Sequence, residues 1–248
     1  MEETLSLDHC PTGPWEFDAA VTSCFGDMLR RSIPQYESMR RAVADVARDC
    51  IRPKGWIVDL GCSKGDALAT LLPYSGKTNR FLGVDSSLSM VSAAQERFKH
   101  DSEEARIDIR QMDLRSEYPQ APACVTLSVL TLQFIPIEYR HRIVAKACRH
   151  TVSSGAFILV EKILGRSAAT DAMFTTNYYR LKRHNGYSQS KIDTKRKSLE
   201  HVLCPLTAQW NETMLLEAGF QTVECFWRWM NFAGWIAIRG GHEQRGWA

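Results

Sequence analysis

Several things are scarce in this chain, and each scarcity excludes something. None of the eight cysteines, at 10, 24, 50, 62, 124, 148, 204 and 225, pairs with another at C-x-x-C spacing, so a zinc site of that type is not expected. Several of them sit in apolar strand-like runs, where a thiol is a small hydrophobe; reduced cysteines and a cytoplasmic location are the expectation. No run has the length of a membrane span, and Met1-Glu2-Glu3-Thr4 opens without the apolar core of a secretion signal. Net charge is only +3 over 248 residues, too mild to point to nucleic acid. There is no internal repeat and no low-complexity tract. No membrane or direct nucleic-acid partner is expected.

What is present is a rhythm. Residues 1 to about 14 read as a loose arm, and Trp15 to Arg48 carries helical spacing broken at Ser32-Ile33-Pro34, where proline removes a helix donor and restricts its predecessor. Apolar runs at Trp56–Leu60, Phe81–Asp85, Ile107–Ile109, Cys124–Val129 and Ala156–Val160 then alternate with helical patterns at Ala67–Leu72, Leu88–Phe98 and Ile137–His150. That alternation predicts a parallel sheet with helices on both faces. Residues from about 166 to 206 break the rhythm as an inserted helical cap, basic through Lys182, Arg183, Lys191, Lys195, Arg196 and Lys197. A helix at 207–218 follows, and Thr222–Trp227 and Phe232–Ile238 predict a closing antiparallel hairpin with Arg228–Asn231 between its arms. The expectation is one α/β domain over 1–248, with a helical arm over 1–50.

The strongest local motif is Val58-Asp59-Leu60-Gly61-Cys62-Ser63-Lys64-Gly65, at a strand-to-helix turn. Gly61 and Gly65 would let backbone approach a ligand that a Cβ would block. Asp85, twenty residues after Gly65 and at the end of the next strand, can accept from both hydroxyls of a ribose, with Ser86 beside it. The motif lacks the full G-x-G-x-x-G of dinucleotide folds, and Ser63 crowds the path of a pyrophosphate. S-adenosylmethionine (SAM) has no phosphate and needs no such clearance. Asp113, after the third strand, is placed to accept from an adenine amino group. These features predict a Rossmann-like fold of the class I methyltransferase type, with a mostly parallel seven-stranded sheet and SAM as cofactor or sole substrate. A tight turn with two helix-capping aspartates is the plainer alternative.

Longer strings carry a more specific likeness. Trp15-Glu16-Phe17-Asp18, Asp27 through Tyr36, Asp59-Leu60-Gly61-Cys62-Ser63, Thr131-Leu132-Gln133-Phe134, Lys182 through Ser188, Lys195-Arg196 and Asn231-Phe232 resemble the carboxy-S-adenosylmethionine synthases. Those enzymes make carboxy-SAM from SAM and prephenate for wobble-uridine modification of tRNA. The resemblance implies that Tyr36, Gly61, Cys62, Ser63, Asp85, Asp113 and Leu114 line a SAM pocket. It also implies a homodimer in which Arg196 reaches the added carboxylate from a neighbouring subunit; an arginine fork suits a carboxylate.

The chain departs from that pattern where the family has an asparagine (here Val129) and a histidine pair (here Tyr178 and Tyr179). Titratable imidazoles are replaced by phenols, and the active centre is expected to be drier and more aromatic. A ring face attracts a desolvated cation such as a sulfonium by about 2 kcal/mol or more.

Three chemistries are open. In the first, which the departures favour, the α-amine of SAM displaces methylthioadenosine from its own Cγ, closing azetidine-2-carboxylate, as in synthases of secondary metabolism that share the fold. Val129, Tyr178 and Tyr179 would exclude water, and Asn177 or Ser128 would orient the amine. The second is methyl transfer to a small acceptor, with His184 a candidate base. The third is carboxy-SAM formation. A SAM-binding regulatory or RNA-binding protein is the non-enzymatic alternative.

Overall fold

The computed structural model describes residues 13–99, 101 and 106–241. Cys10 and most of the arm expected at 1–14 lie outside them.

Five strands form the parallel part of the sheet: β1 (Trp56–Leu60), β2 (Arg80–Asp85), β3 (Ile107–Gln111), β4 (Ala123–Val129) and β5 (Thr151–Leu164). Their near-continuous apolar runs suit strands covered on both faces. A two-residue strand, β6 (Leu206–Thr207), pairs with the end of β5, and β7 (Thr222–Trp229) and β8 (Phe232–Ile238) close the sheet in antiparallel fashion. The main path runs β3-β2-β1-β4-β5-β8-β7, seven strands, with β6 off it. Succession reverses between β1 and β4, and ligand crevices open at the carboxyl ends of strands beside such a switch.

Two boundaries differ from the sequence expectation. β5 starts five residues earlier than its apolar run, because Thr151 pairs with Ala123 across a register irregularity that apolar spacing does not signal. The last hairpin is tighter, since Arg228 and Trp229 pair with Ala233 and Phe232 and only Met230 and Asn231 make the turn.

The helical break at Ser32–Pro34 separates α1 (Ala19–Ser32) from α2 (Tyr36–Arg48). Helix α1 begins at Ala19 because the Asp18 carboxylate accepts the Val21 N–H at 2.8 Å. Helices α3 (Asp66–Leu71), α4 (Leu88–Arg97) and α5 (Ile137–His150) fill the crossovers. The cap consists of α6 (Ala168–His184), opened by a Ser167/Thr170 capping box, and α7 (Gln189–Ser198), capped by Ser188. Helix α8 (Ala208–Glu217) precedes the hairpin.

Arm and cap are joined directly. The Trp15 N–H donates to Ser198 O at 2.8 Å, the Asn185 amide donates to Arg31 O at 3.0 Å, and Ser32 Oγ lies 3.2 Å from the Tyr187 hydroxyl. Trp15, Val21, Phe25 and Met28 bury themselves with Met90 of α4. The arm and the cap therefore wall a space above the carboxyl ends of β1 and β4. Among the described residues, no helix is long and apolar enough to cross a membrane.

Candidate active site

The walled space is a cavity of about 1030 Å³. One end rests on the turn after β1. There Gly61 has φ +79°, and a Cβ on it would collide with Thr131. Gly61 and Cys62 both donate their N–H to Val84 O, at 2.8 and 2.9 Å, which ties the turn to β2. Asp85, at the end of β2, accepts the Ser63 N–H and the Ser87 N–H, both at 2.9 Å. Burial raises its carboxyl above the usual range and these backbone donors pull it back. Asp113 is gripped by the Arg115 guanidinium at 2.7–3.0 Å, which holds its carboxyl below the usual range. Tyr36, Ser86 and Leu114 complete this end of the wall, and burial pushes the Tyr36 phenol up to about 12.

Three residues expected at the site are not on the cavity wall. Gly65 has φ +75°, but its missing Cβ makes room for the ring of Phe98 on α4; the glycine serves helix packing. Ser128 is fully buried with its hydroxyl unbonded among the described residues, while Val129 lines the cavity; successive strand residues face opposite sides. Asn177 turns away on α6, its amide bonded to Met173 O and its carbonyl to Arg180.

The other end is formed by the cap and the end of β5. Tyr178 is buried, its ring centroid 5.9 Å from that of Tyr179 and 5.6 Å from that of Phe232. Aromatic rings do gather at this end, and ammonium groups lie over them. Lys162 Nζ lies 4.9 Å from the Tyr178 centroid and Lys182 Nζ 5.6 Å from it. Lys182 is also 4.9 Å from the Tyr187 centroid, and Lys195 Nζ is 4.7 Å from that of Trp15. Burial lowers the affinity of both Lys162 and Lys182 for their protons, and the charge of Lys162 adds to the effect on Lys182, which falls to about 8. Burial raises the phenols of Tyr178 and Tyr179, with Arg196 opposing the rise at Tyr179.

Arg196 sits on the wall of its own chain's cavity, 3.2 Å from Glu200. Among the described residues no histidine lines the cavity, and His184 is exposed outside it.

Sequence reasoning missed three lining groups. Asp59 lies buried under the turn, its carboxyl pushed up to about 8 by burial, then by Asp85 and Asp66. Its place in the glycine motif was visible, its exposure to the cavity was not. Lys162 lies two residues past the apolar run of β5, near that strand's carboxyl end, which was an available signal. Lys182 is four residues after Tyr178 and shares its helix face, a spacing equally legible.

Residues 57–155 match the model of a methyltransferase domain. The chain is 41% identical over 229 residues to the carboxy-S-adenosyl-L-methionine synthase of Wolinella succinogenes, covering 91% of this chain and 94% of that one. It is 36% identical over 224 residues to the synthase of the same name from Methylococcus capsulatus, covering 90% and 93%. Among solved structures, an O-methyltransferase family protein from Burkholderia thailandensis superposes with a TM-score of 0.62 at 16% identity, over 92% of this chain. This chain spans 62% of that protein, less than two thirds of its length. Human N-acetylserotonin methyltransferase in complex with SAM superposes with a TM-score of 0.53 at 14% identity, over 90% of this chain and 59% of that one. These two likenesses concern the fold.

Proposed function

The chain belongs to the carboxy-S-adenosyl-L-methionine synthase family, and on that premise we propose that it is an enzyme that binds SAM together with an anionic carboxyl donor and carboxylates the sulfonium methyl. The observation that carries this reading is the polarity of the cavity. One end has acceptors and a glycine turn for a nucleoside, and the other has Lys162, Lys182, Lys195 and Arg196. SAM is itself a net cation near neutral pH, with one carboxylate against an ammonium and a sulfonium. Lys162 and Lys182, which have no carboxylate at ion-pair distance among the described residues, are poorly matched to SAM alone and well matched to SAM with a dianion such as prephenate.

In this reading Asp85 accepts from the ribose hydroxyls and Asp113 from the adenine amino group. Tyr36, Gly61, Cys62, Ser63, Ser86 and Leu114 enclose the nucleoside. The sulfur faces Val129, Tyr178 and Tyr179. For the methyl carbon to be carboxylated, the donor's C–CO2 bond breaks, its ring aromatises and expels hydroxide, the hydroxide takes a methyl proton to give water, and the resulting carbanion bonds to the released carbon dioxide. The cationic end holds the donor's carboxylates and Arg196 the new one. Asn177, Ser128 and Gly65 have no contact role.

A second reading rests on a different observation: Val129 is apolar and, among the described residues, no histidine lines the wall. In that reading the α-amine of SAM attacks its own Cγ, the Cγ–S bond breaks, methylthioadenosine leaves and the ring nitrogen sheds a proton, giving azetidine-2-carboxylate. An α-amino group titrates near 7.7–8.0 and clustered cations lower that further, which favours the neutral nucleophile.

Product analysis by mass spectrometry separates the readings. Carboxy-SAM formed only when SAM and prephenate are both present supports the first. Methylthioadenosine with a four-carbon cyclic amino acid, formed from SAM alone above background, replaces it with the second. S-adenosylhomocysteine formed only with an added acceptor replaces both with methyl transfer.

A further inference from the structure

Resting on the reading that the cavity takes SAM and an anionic co-substrate, we propose that Lys162 and Lys182, held on the ring of Tyr178, form a carboxylate-binding subsite for that co-substrate.

The two ammonium groups come from separate elements, the end of β5 and the last turn of α6, and both lie within 6 Å of one phenol centroid. Lys182 is 4% exposed and Lys162 half-buried, and both line the cavity. Among the described residues neither ammonium has an ion-pair or hydrogen-bond partner, in a chain where Arg31, Arg40, Arg97, Arg110, Arg115 and Arg196 each have a carboxylate. Asp171 is the carboxylate whose field reaches Lys162, but it is already engaged by the Gly165 N–H at 2.8 Å.

Two like charges so placed repel each other and lack the solvation that a surface pair would have. A ring face offsets part of that cost, and an ionised carboxylate between the ammonium groups would offset far more. The same arrangement suits a neutral or cationic acceptor poorly. Lys182 further touches the Tyr187 ring, and the Tyr187 hydroxyl lies 3.2 Å from Ser32 Oγ of α1, so the subsite adjoins the contact that joins the cap to the arm. Arg196 is less available for this first role, since it faces Glu200 at 3.2 Å.

The test is calorimetric titration of prephenate, and separately malonate, into full-length protein saturated with S-adenosylhomocysteine. The variants are Lys182→Met, Lys162→Met and Lys182→Arg. Each methionine variant should bind the anions at least about 30-fold more weakly, while Lys182→Arg stays within about fivefold. Affinity for S-adenosylhomocysteine should move less than about threefold in all three, which also reports that they are folded. If Lys182→Met fails to fold, Lys162→Met, at the more open position, decides alone. Unchanged anion affinity in the methionine variants overturns the subsite, and so does a wild-type protein that binds neither anion. Malonate binding that is lost in the variants, without any prephenate binding, keeps the subsite and removes the carboxylation reading instead.

Discussion

The two ends of the cavity are made differently. At the nucleoside end, polar groups are satisfied by the chain itself: Asp85 by two backbone N–H groups, Asp113 by Arg115, and the turn at 61–62 by Val84 O. At the cap end, Lys162 of β5 and Lys182 of α6 bring two ammonium groups onto one phenol ring with no carboxylate at ion-pair distance among the described residues. The first end is a preformed cradle. The second is a cluster of cations and rings, and the proposed reading gives the two ends different parts of the reaction.

The contrast breaks most readily at Asp85. Asp85→Asn should weaken S-adenosylhomocysteine binding roughly 100-fold, because it removes the charged acceptor that holds the Ser63 and Ser87 N–H groups and that the proposed reading gives to the ribose. Calorimetry checks this, and the anion titration described above should be affected far less.

The two glycines sharpen it next. Gly61→Ala and Gly65→Ala should each cost about 2 kcal/mol or more of stability, since both residues hold positive φ and both would gain a clash. Only Gly61→Ala should also lower cofactor affinity; the Gly65 change meets Phe98, behind the cradle. Thermal denaturation paired with ligand titration distinguishes them.

A pH experiment probes the floor of the cradle. Asp59 and Glu161 are both buried and pushed up to about 8. Carboxyls raised in this way favour the folded state below about pH 4, and that contribution is lost as pH rises toward 8. Lys182, depressed to about 8, works in the opposite sense: its contribution is present above the ordinary lysine range and lost as pH falls through about 8. Asp59→Asn should therefore flatten the decline in stability between pH 4 and 8 and leave the variant more stable than wild type at pH 9. Denaturant unfolding across that range measures it.

The smallest effect should come from Asn177→Ala, within about twofold of wild type in turnover, because its amide is engaged on the outer side of α6. A larger loss would place the reacting end elsewhere.

Most of the fold and the nucleoside end were legible in the sequence. Apolar strand runs, a glycine turn and an acid at the end of β2 are local features with local causes, and they fix the crossovers and the cradle. The cap end was misread where phase decides the outcome. Ser128 and Val129 are neighbours on a strand, and only one can face the cavity. Tyr178 and Lys182 share a helix face, while Asn177 sits about 100° away from Tyr178. Lys182 counted only as part of a basic cap; the contacts that hold α6 in place, Asn185 to Arg31 and Tyr178 to Phe232, join residues more than a hundred and about fifty positions apart. The aromatic substitutions were visible, but not the lysines that occupy the ring they create.

The most direct measurement is product analysis of purified wild-type protein incubated with SAM, with and without prephenate. The account expects carboxy-SAM in the first mixture and unchanged SAM in the second. Methylthioadenosine and azetidine-2-carboxylate accumulating in both, with no carboxylated product, would contradict it.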